Sequence, residues 1–150
     1  MNTCFFIGHR EASEHLFYNL YKEIERHIIK YGVTDFVVGG YGNFDSMAKR
    51  AIQNAKKIYP ETKLIRLLTY HPSRYSKSAL SDFDDTFYPS GMETVPPKVS
   101  ILRANRYMID HSKYLIAYVW HSASNAMNLL EYARRRESQG NIRITLIKEE

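Results

Sequence analysis

The stretch Gly39-Gly40-Tyr41-Gly42-Asn43-Phe44-Asp45 puts three glycines within four positions, directly after the apolar run Phe36-Val37-Val38 and before a segment with helical spacing. A strand, glycine turn and helix in that order leave backbone N–H groups unpaired at a helix N-terminus. There the helix dipole favours an anion, and glycine lets a ligand approach the main chain closely. Phosphate is the natural guest. Two further turns carry related chemistry. Gly8-His9-Arg10 sets an imidazole and a guanidinium after an apolar run, and a guanidinium suits phosphate bidentately. His121-Ser122-Ala123-Ser124-Asn125 offers small polar groups after another such run.

Asp45, at the predicted helix start, has three readings: a cap, a carboxylate that binds ribose hydroxyls, or a catalytic group supporting attack at an anomeric carbon. Arg103, Asn105, Arg106 and Asp110 share one predicted helix, with Arg103 and Arg106 three apart on one face, as a phosphate clamp would need. Plainer readings stand beside these. The glycines could serve tight helix–strand packing, His9-Arg10 could be a capping His and a surface Arg, and the Arg103–Asp110 set could be a solvated face.

Several chemistries find no support. Gly39-Gly40-Tyr41-Gly42 lacks the G-x-G-x-x-G spacing of a dinucleotide fingerprint, and no Lys-Ser/Thr pair follows as in a P-loop. His71, His111 and His121 share no metal-ligand spacing, so no metal site is expected. Cys4 is the sole cysteine, which rules out an intrachain disulfide, and its apolar setting suggests a packed thiol. The net charge of +5 suits an anionic partner but does not choose between a small anion and nucleic acid. The start of the chain has neither a basic n-region nor a long apolar stretch, so no membrane partner and a cytoplasmic location are expected.

Positioning these groups requires a repeating strand–helix pattern. Strands are predicted at Thr3–Ile7, Phe36–Val38, Lys63–Leu68, Tyr114–Trp120 and Ile142–Ile147. Ser13 can cap a first helix with a stripe of Leu16, Leu20, Ile24, Ile28 and Tyr31 that stops at Gly32. A second helix shows Met47, Ala48, Ala51, Ile52, Ala55 and Ile58, and ends by Pro60. Val99, Leu102, Tyr107 and Met108 mark a third, and a fourth runs over about Ala126–Gln139 with Leu129, Leu130 and Ala133 inward and Arg134-Arg135-Arg136 outward. Residues from about 69 to 97 show no period and read as a long loop. The fold class is therefore α/β: one domain over 1–150, a Rossmann-like three-layer α/β/α sandwich with a mainly parallel five-stranded sheet. All three polar turns fall at the carboxyl edge of that sheet, where such folds bind ligands.

Phe6-Ile7-Gly8-His9-Arg10, the Gly39–Ala48 stretch, Ala104–Asp110 and Asn125–Ala133 together resemble, in order, the YpsA-like branch of the SLOG superfamily, which groups DprA-type proteins with LOG-type phosphoribohydrolases. The resemblance covers nearly the whole chain. It implies a Rossmann-like site for a nucleotide or nucleotide-derived ligand, and a homo-oligomer. LOG-type enzymes use a glutamate in a Gly-Gly-x-Gly-Thr-x-x-Glu turn; the turn at 121–125 has neither glycine nor glutamate, and Ser46 stands where the glutamate would be if the earlier turn is compared. The related deoxyribosyltransferases place a nucleophilic glutamate where this chain has Asn128 and Leu129, with Glu131 displaced.

The leading expectation is binding or sensing of a nucleotide-like small molecule, with no cofactor required and a bound nucleotide or phosphate accommodated. The alternatives are an N-glycosidic hydrolase or transferase using Asp45, and single-stranded DNA binding through the basic balance and the Arg134–Arg136 run.

Overall fold

The computed structural model describes residues 2–122 and 124–149. In chain order the strands are β1 (Thr3–Gly8), β2 (Asp35–Val38), β3 (Lys63–Leu67), β4 (Asp85–Phe87), β5 (Tyr114–Tyr118) and β6 (Arg143–Leu146). The helices are α1 (Phe17–Tyr31), α2 (Asn43–Lys56), the single turn α3 (Lys77–Leu80), α4 (Pro97–His111) and α5 (Asn125–Ser138). All strands join one parallel sheet in the order β4-β3-β2-β1-β5-β6. The Rossmann-like α/β sandwich is thus present with six strands, one more than the sequence suggested. The added strand, β4, is short, polar and at the sheet edge, so it carries no apolar run to betray it. Asp84 prepares its pairing: the carboxylate accepts from Leu64 N–H at 2.7 Å and forms an ion pair with Lys56.

The 69–97 segment is accordingly not a featureless loop. It holds a 3-10 turn at Pro72–Arg74, α3, β4 and a second 3-10 turn at Met92–Thr94.

Side-chain alternation along the strands divides the apolar residues between two cores, because successive residues of a strand point to opposite faces. Cys4, Phe6, Phe36, Val38, Leu64 and Ile116 pack under α1 and α2. Phe5, Ile7, Val37, Leu67, Leu115 and Ala117 pack under α4 and α5. Each fully buried large side chain contributes roughly 1.5–3 kcal/mol relative to exposure. The Cys4 thiol lies among them with no exposed surface, and burial pushes its pKa up.

Helix ends follow local chemistry. Gly32 adopts the left-handed conformation (φ 67°) that closes α1, with its N–H bonded to Ile28 O and Val33 N–H to His27 O. The buried stripe of α1 runs through Leu20, Ile24 and His27, whereas Ile28 and Tyr31, expected on it, are half-buried. α2 stops at Lys56, which leaves Ile58 beyond the helix and largely exposed. On α4 the core positions are Ser100, Ala104, Met108 and Ile109; Val99 and Leu102, expected to face inward, lie on the open side. Leu129, Leu130 and Ala133 face inward on α5 as expected. Among the described residues, no helix is long and apolar enough to cross a membrane.

Candidate functional site

The chain runs from the centre of the sheet outwards through β2, β3 and β4, then α4 carries it back to place β5 on the other side of β1. The order reverses between β1 and β5, so the loops after those strands diverge and leave a crevice at their carboxyl ends. A cleft of about 910 Å³ occupies this place. Its walls come from the three polar turns, the end of β3, α4 and the first turns of α5.

His9 forms the floor. It is almost fully buried, its ring stacks on that of His121 with centroids 3.8 Å apart and planes 7° from parallel, and its Nε2 accepts the Trp120 N–H at 2.8 Å. An Nε2 that accepts must be unprotonated, which puts the ring proton of the neutral form on Nδ1. Burial lowers the His9 pKa, and the neighbouring His121 lowers it further. His9 is therefore a neutral imidazole near pH 7, and it ties the loop after β5 to the loop after β1.

The glycine turn is built differently from a phosphate cradle. Gly42 holds φ at 98° and ψ at −179°, a conformation open essentially only to glycine, and a Cβ there would lie 2.7 Å from the Arg10 Cα. The Asn43 N–H, at the start of α2, donates to Arg10 O at 2.7 Å, so the chain itself occupies the helix N-terminus. Tyr41 N–H donates to the Asp45 carboxylate at 3.0 Å. Gly40 lies under the Arg66 guanidinium, and Gly8 gives way to the Phe44 ring. Gly40, Gly42 and Phe44 thus serve close packing of the chain against itself, and Asn43 lines a neighbouring cavity instead of the cleft.

Gly39 and Asp45 do reach the cleft. The Asp45 carboxylate sits half-buried beside Gly39. Burial raises its pKa to about 6 despite the opposing Tyr41 N–H and the charge of Arg66. That is a carboxyl group which changes protonation close to neutral pH.

On the other side of β1, the turn after β5 contains no glycine and stays open. Ser124 caps α5 by accepting Met127 N–H at 3.1 Å, and Ser124, Asn125, Ala126 and Asn128 line the cleft. The first N–H groups of α5 have no acceptor within the helix, and its dipole favours an anion there. Arg10, Lys98, Arg106 and Arg135 line the same cleft against the acids Glu11, Asp45 and Glu131. The Tyr132 ring has the Arg106 guanidinium 5.0 Å away and that of Arg135 5.7 Å away. Its hydroxyl donates to Asp110 at 2.7 Å, and Asp110 also forms an ion pair with Arg136 at 3.0 Å. Asp110, expected as a ligand contact, therefore braces the tyrosine that supports two cleft arginines. Arg136, expected to point outward with its neighbours, is half-buried in this ion pair.

Among the described residues, the lining holds Gly8, His9, Arg10, Gly39, Asp45, Asn105, Arg106, His121, Ser124 and Asn125 from the sequence-derived set, and not Gly40, Gly42, Asn43, Phe44, Arg103, Asp110 or Ser122. Arg103 projects from the exposed side of α4, and the Asn105 amide bonds back to Ile101 O at 2.8 Å. Ala123, within the third turn, lies outside the described residues. Thr69, Lys98 and Trp120 also line the cleft without any sequence motif to mark them, and Arg135, read from the sequence only as part of a basic run, joins them. Thr69 accepts or donates to Tyr41 Oη at 2.6 Å and rests at the cleft wall, yet its only sequence signal is its place at the end of a strand. No three His, Cys, Asp or Glu side chains among the described residues are arranged to hold a metal ion.

No family model matches the chain, and no curated protein matches it. Among solved structures it is similar to S. aureus TarJ in complex with NADPH, at 18% identity and TM-score 0.45, over 90% of this chain and 43% of TarJ. A second S. aureus TarJ structure gives 20% identity and TM-score 0.45, over 89% and 44%. The chain thus spans less than half the length of TarJ, and a likeness this loose carries no argument about function.

Proposed function

We propose that the protein binds a nucleotide or a nucleotide-derived phosphate ester in the cleft between the ends of β1 and β5. One observation carries this reading: the strand order reverses at the place where the open N-terminus of α5 and the side chains of Arg10, Lys98, Arg106 and Arg135 line one cleft. Such a place supplies dipole, backbone donors and guanidinium groups to a phosphate at once. The ordered resemblance of the turn motifs to YpsA-like SLOG proteins supports the same ligand class. Isothermal calorimetry with nucleoside mono- and diphosphates, NAD and ADP-ribose tests it. Micromolar to millimolar binding of at least one of them is expected; no heat with any, from a folded protein, overturns the reading.

A second reading is favoured by Asp45. A carboxyl group with a pKa raised to about 6, half-buried at the cleft wall, suits a general base that activates water for attack at the anomeric carbon of a bound nucleotide. The reaction would be cleavage of the N-glycosidic bond. Chromatographic detection of released base tests it, with Asp45→Asn expected to abolish release; equal release by that variant removes Asp45 from the chemistry.

A further inference from the structure

Trp120 is the sole tryptophan of the chain, and it stands 66% exposed at the mouth of the cleft. An indole offers a large, rigid apolar face together with one polar N–H, which suits it to stacking on a flat ring. Its backbone is fixed by the 2.8 Å bond from its N–H to His9, so the ring projects from an anchored position. The indole lies 4.4 Å from the His121 ring and 5.4 Å from the His9 ring, near perpendicular to both. Were it standing on the face of His121, the 3.8 Å spacing of the histidine stack would add to its distance from His9, well beyond what is observed. The indole is therefore beside the stack, with one face against the edges of both imidazoles and the other face open.

Trp120 also lines a second cavity of about 950 Å³, where it joins Glu11, Ser13 and Asn43. Glu11 and Trp120 belong to both linings, so the cleft and the second cavity meet at the indole. One side of Trp120 thus has basic side chains and a helix N-terminus suited to a phosphate. The other has an apolar wall with carboxylate, hydroxyl and amide groups able to pair with the polar edge of a flat ring.

We infer that Trp120 is a stacking platform for the nucleobase of the bound ligand, with the second cavity receiving the base and the cleft receiving its phosphate. A purine, with the larger π face, is the favoured base. This rests on the proposed nucleotide binding and adds the subsite that would separate a nucleotide from a plain sugar phosphate. Stacking on an exposed aromatic ring supports about a tenfold gain in affinity.

The test is a paired titration with AMP, GMP, UMP and ribose 5-phosphate, followed by calorimetry and by the emission of Trp120, which reports its own site because no other tryptophan competes. The wild type should bind AMP and GMP more tightly than ribose 5-phosphate, with changed emission. Trp120→Ala should weaken AMP about tenfold and leave ribose 5-phosphate unchanged, and Trp120→Phe should restore most of the difference. Nucleotide heat with no change in emission, or a Trp120→Ala variant that loses both ligands equally or neither, overturns the platform while nucleotide binding stands. Absence of heat with every nucleotide overturns both.

Discussion

The turns leading into α2 and α5 are near mirror images in position and opposites in construction. Both join a strand next to the centre of the sheet to a helix, and both open on the same edge. The first is rich in glycine and closed: Arg10 O takes the Asn43 N–H, Asp45 takes the Tyr41 N–H, and Gly42 makes room for the Arg10 backbone. The second has no glycine and, among the described residues, is capped by Ser124 and lined with groups that face the cleft. Glycine here measures how closely the chain approaches itself. The phosphate of the proposed ligand is assigned to the turn without it.

Placing a side chain on the closed turn should have the largest effect. Gly42→Val forces a β-branched residue into a glycine-only conformation and against the Arg10 backbone, at a cost of about 3 kcal/mol or more, read by denaturant unfolding. A cost under about 1 kcal/mol would mean that the turn yields and the contrast with α5 is weak.

Asp45 sharpens the same contrast through pH. Its folded-state pKa of about 6 exceeds the ordinary value of 3.8, so between these limits the folded protein binds the extra proton. Stability must then fall as pH rises from about 4 to about 6 and level off above, by at most about 3 kcal/mol and by less where solvent screens the half-buried carboxylate. The Asp45→Asn variant should lack that component. His9 and His27, whose pKa values are lowered chiefly by burial, act with the opposite sign, because their stabilisation is lost as pH falls below 6.5. The difference between wild-type and variant stability curves isolates Asp45; parallel curves would refute its raised pKa.

On the open side the expected effects fall on binding. Arg135→Ala should weaken a nucleoside monophosphate about tenfold in calorimetry while leaving the melting temperature nearly unchanged, since the side chain is exposed. Lys49→Ala, remote from the cleft and paired with Asp82 on the surface, should change neither. If both substitutions alter affinity equally, the attraction is diffuse charge and not a site. Apart from that neutral control, the smallest effect is expected of the cap: Ser124→Ala should cost α5 about 1 kcal/mol.

The fold was largely legible because its strands are buried on both faces and so read as continuous apolar runs. Thr3–Gly8 and Tyr114–Tyr118 announce themselves this way, whereas Asp85–Phe87 does not, because an edge strand pairs through its backbone and needs no apolar side chains. The site was legible as a set of turns and illegible as a set of contacts. Asp110 was singled out for its charge, but its position next to the last residue of α4 aims it at Tyr132 and Arg136. Trp120 carried no motif at all, and its exposure beside two stacked histidines is a property of the assembled loops.

Sequence alone determined the alternation of strands and helices, the helix stop at Gly32, and the edge of the sheet on which polar turns gather, because hydrophobic period and backbone chemistry act locally. Tertiary structure decided which turn is closed and which is open. That choice depends on where Arg10 crosses Gly42, where Arg66 lies over Gly40, and how far His9 reaches towards Trp120. Each is a contact between segments distant in the chain, set by strand order and core packing.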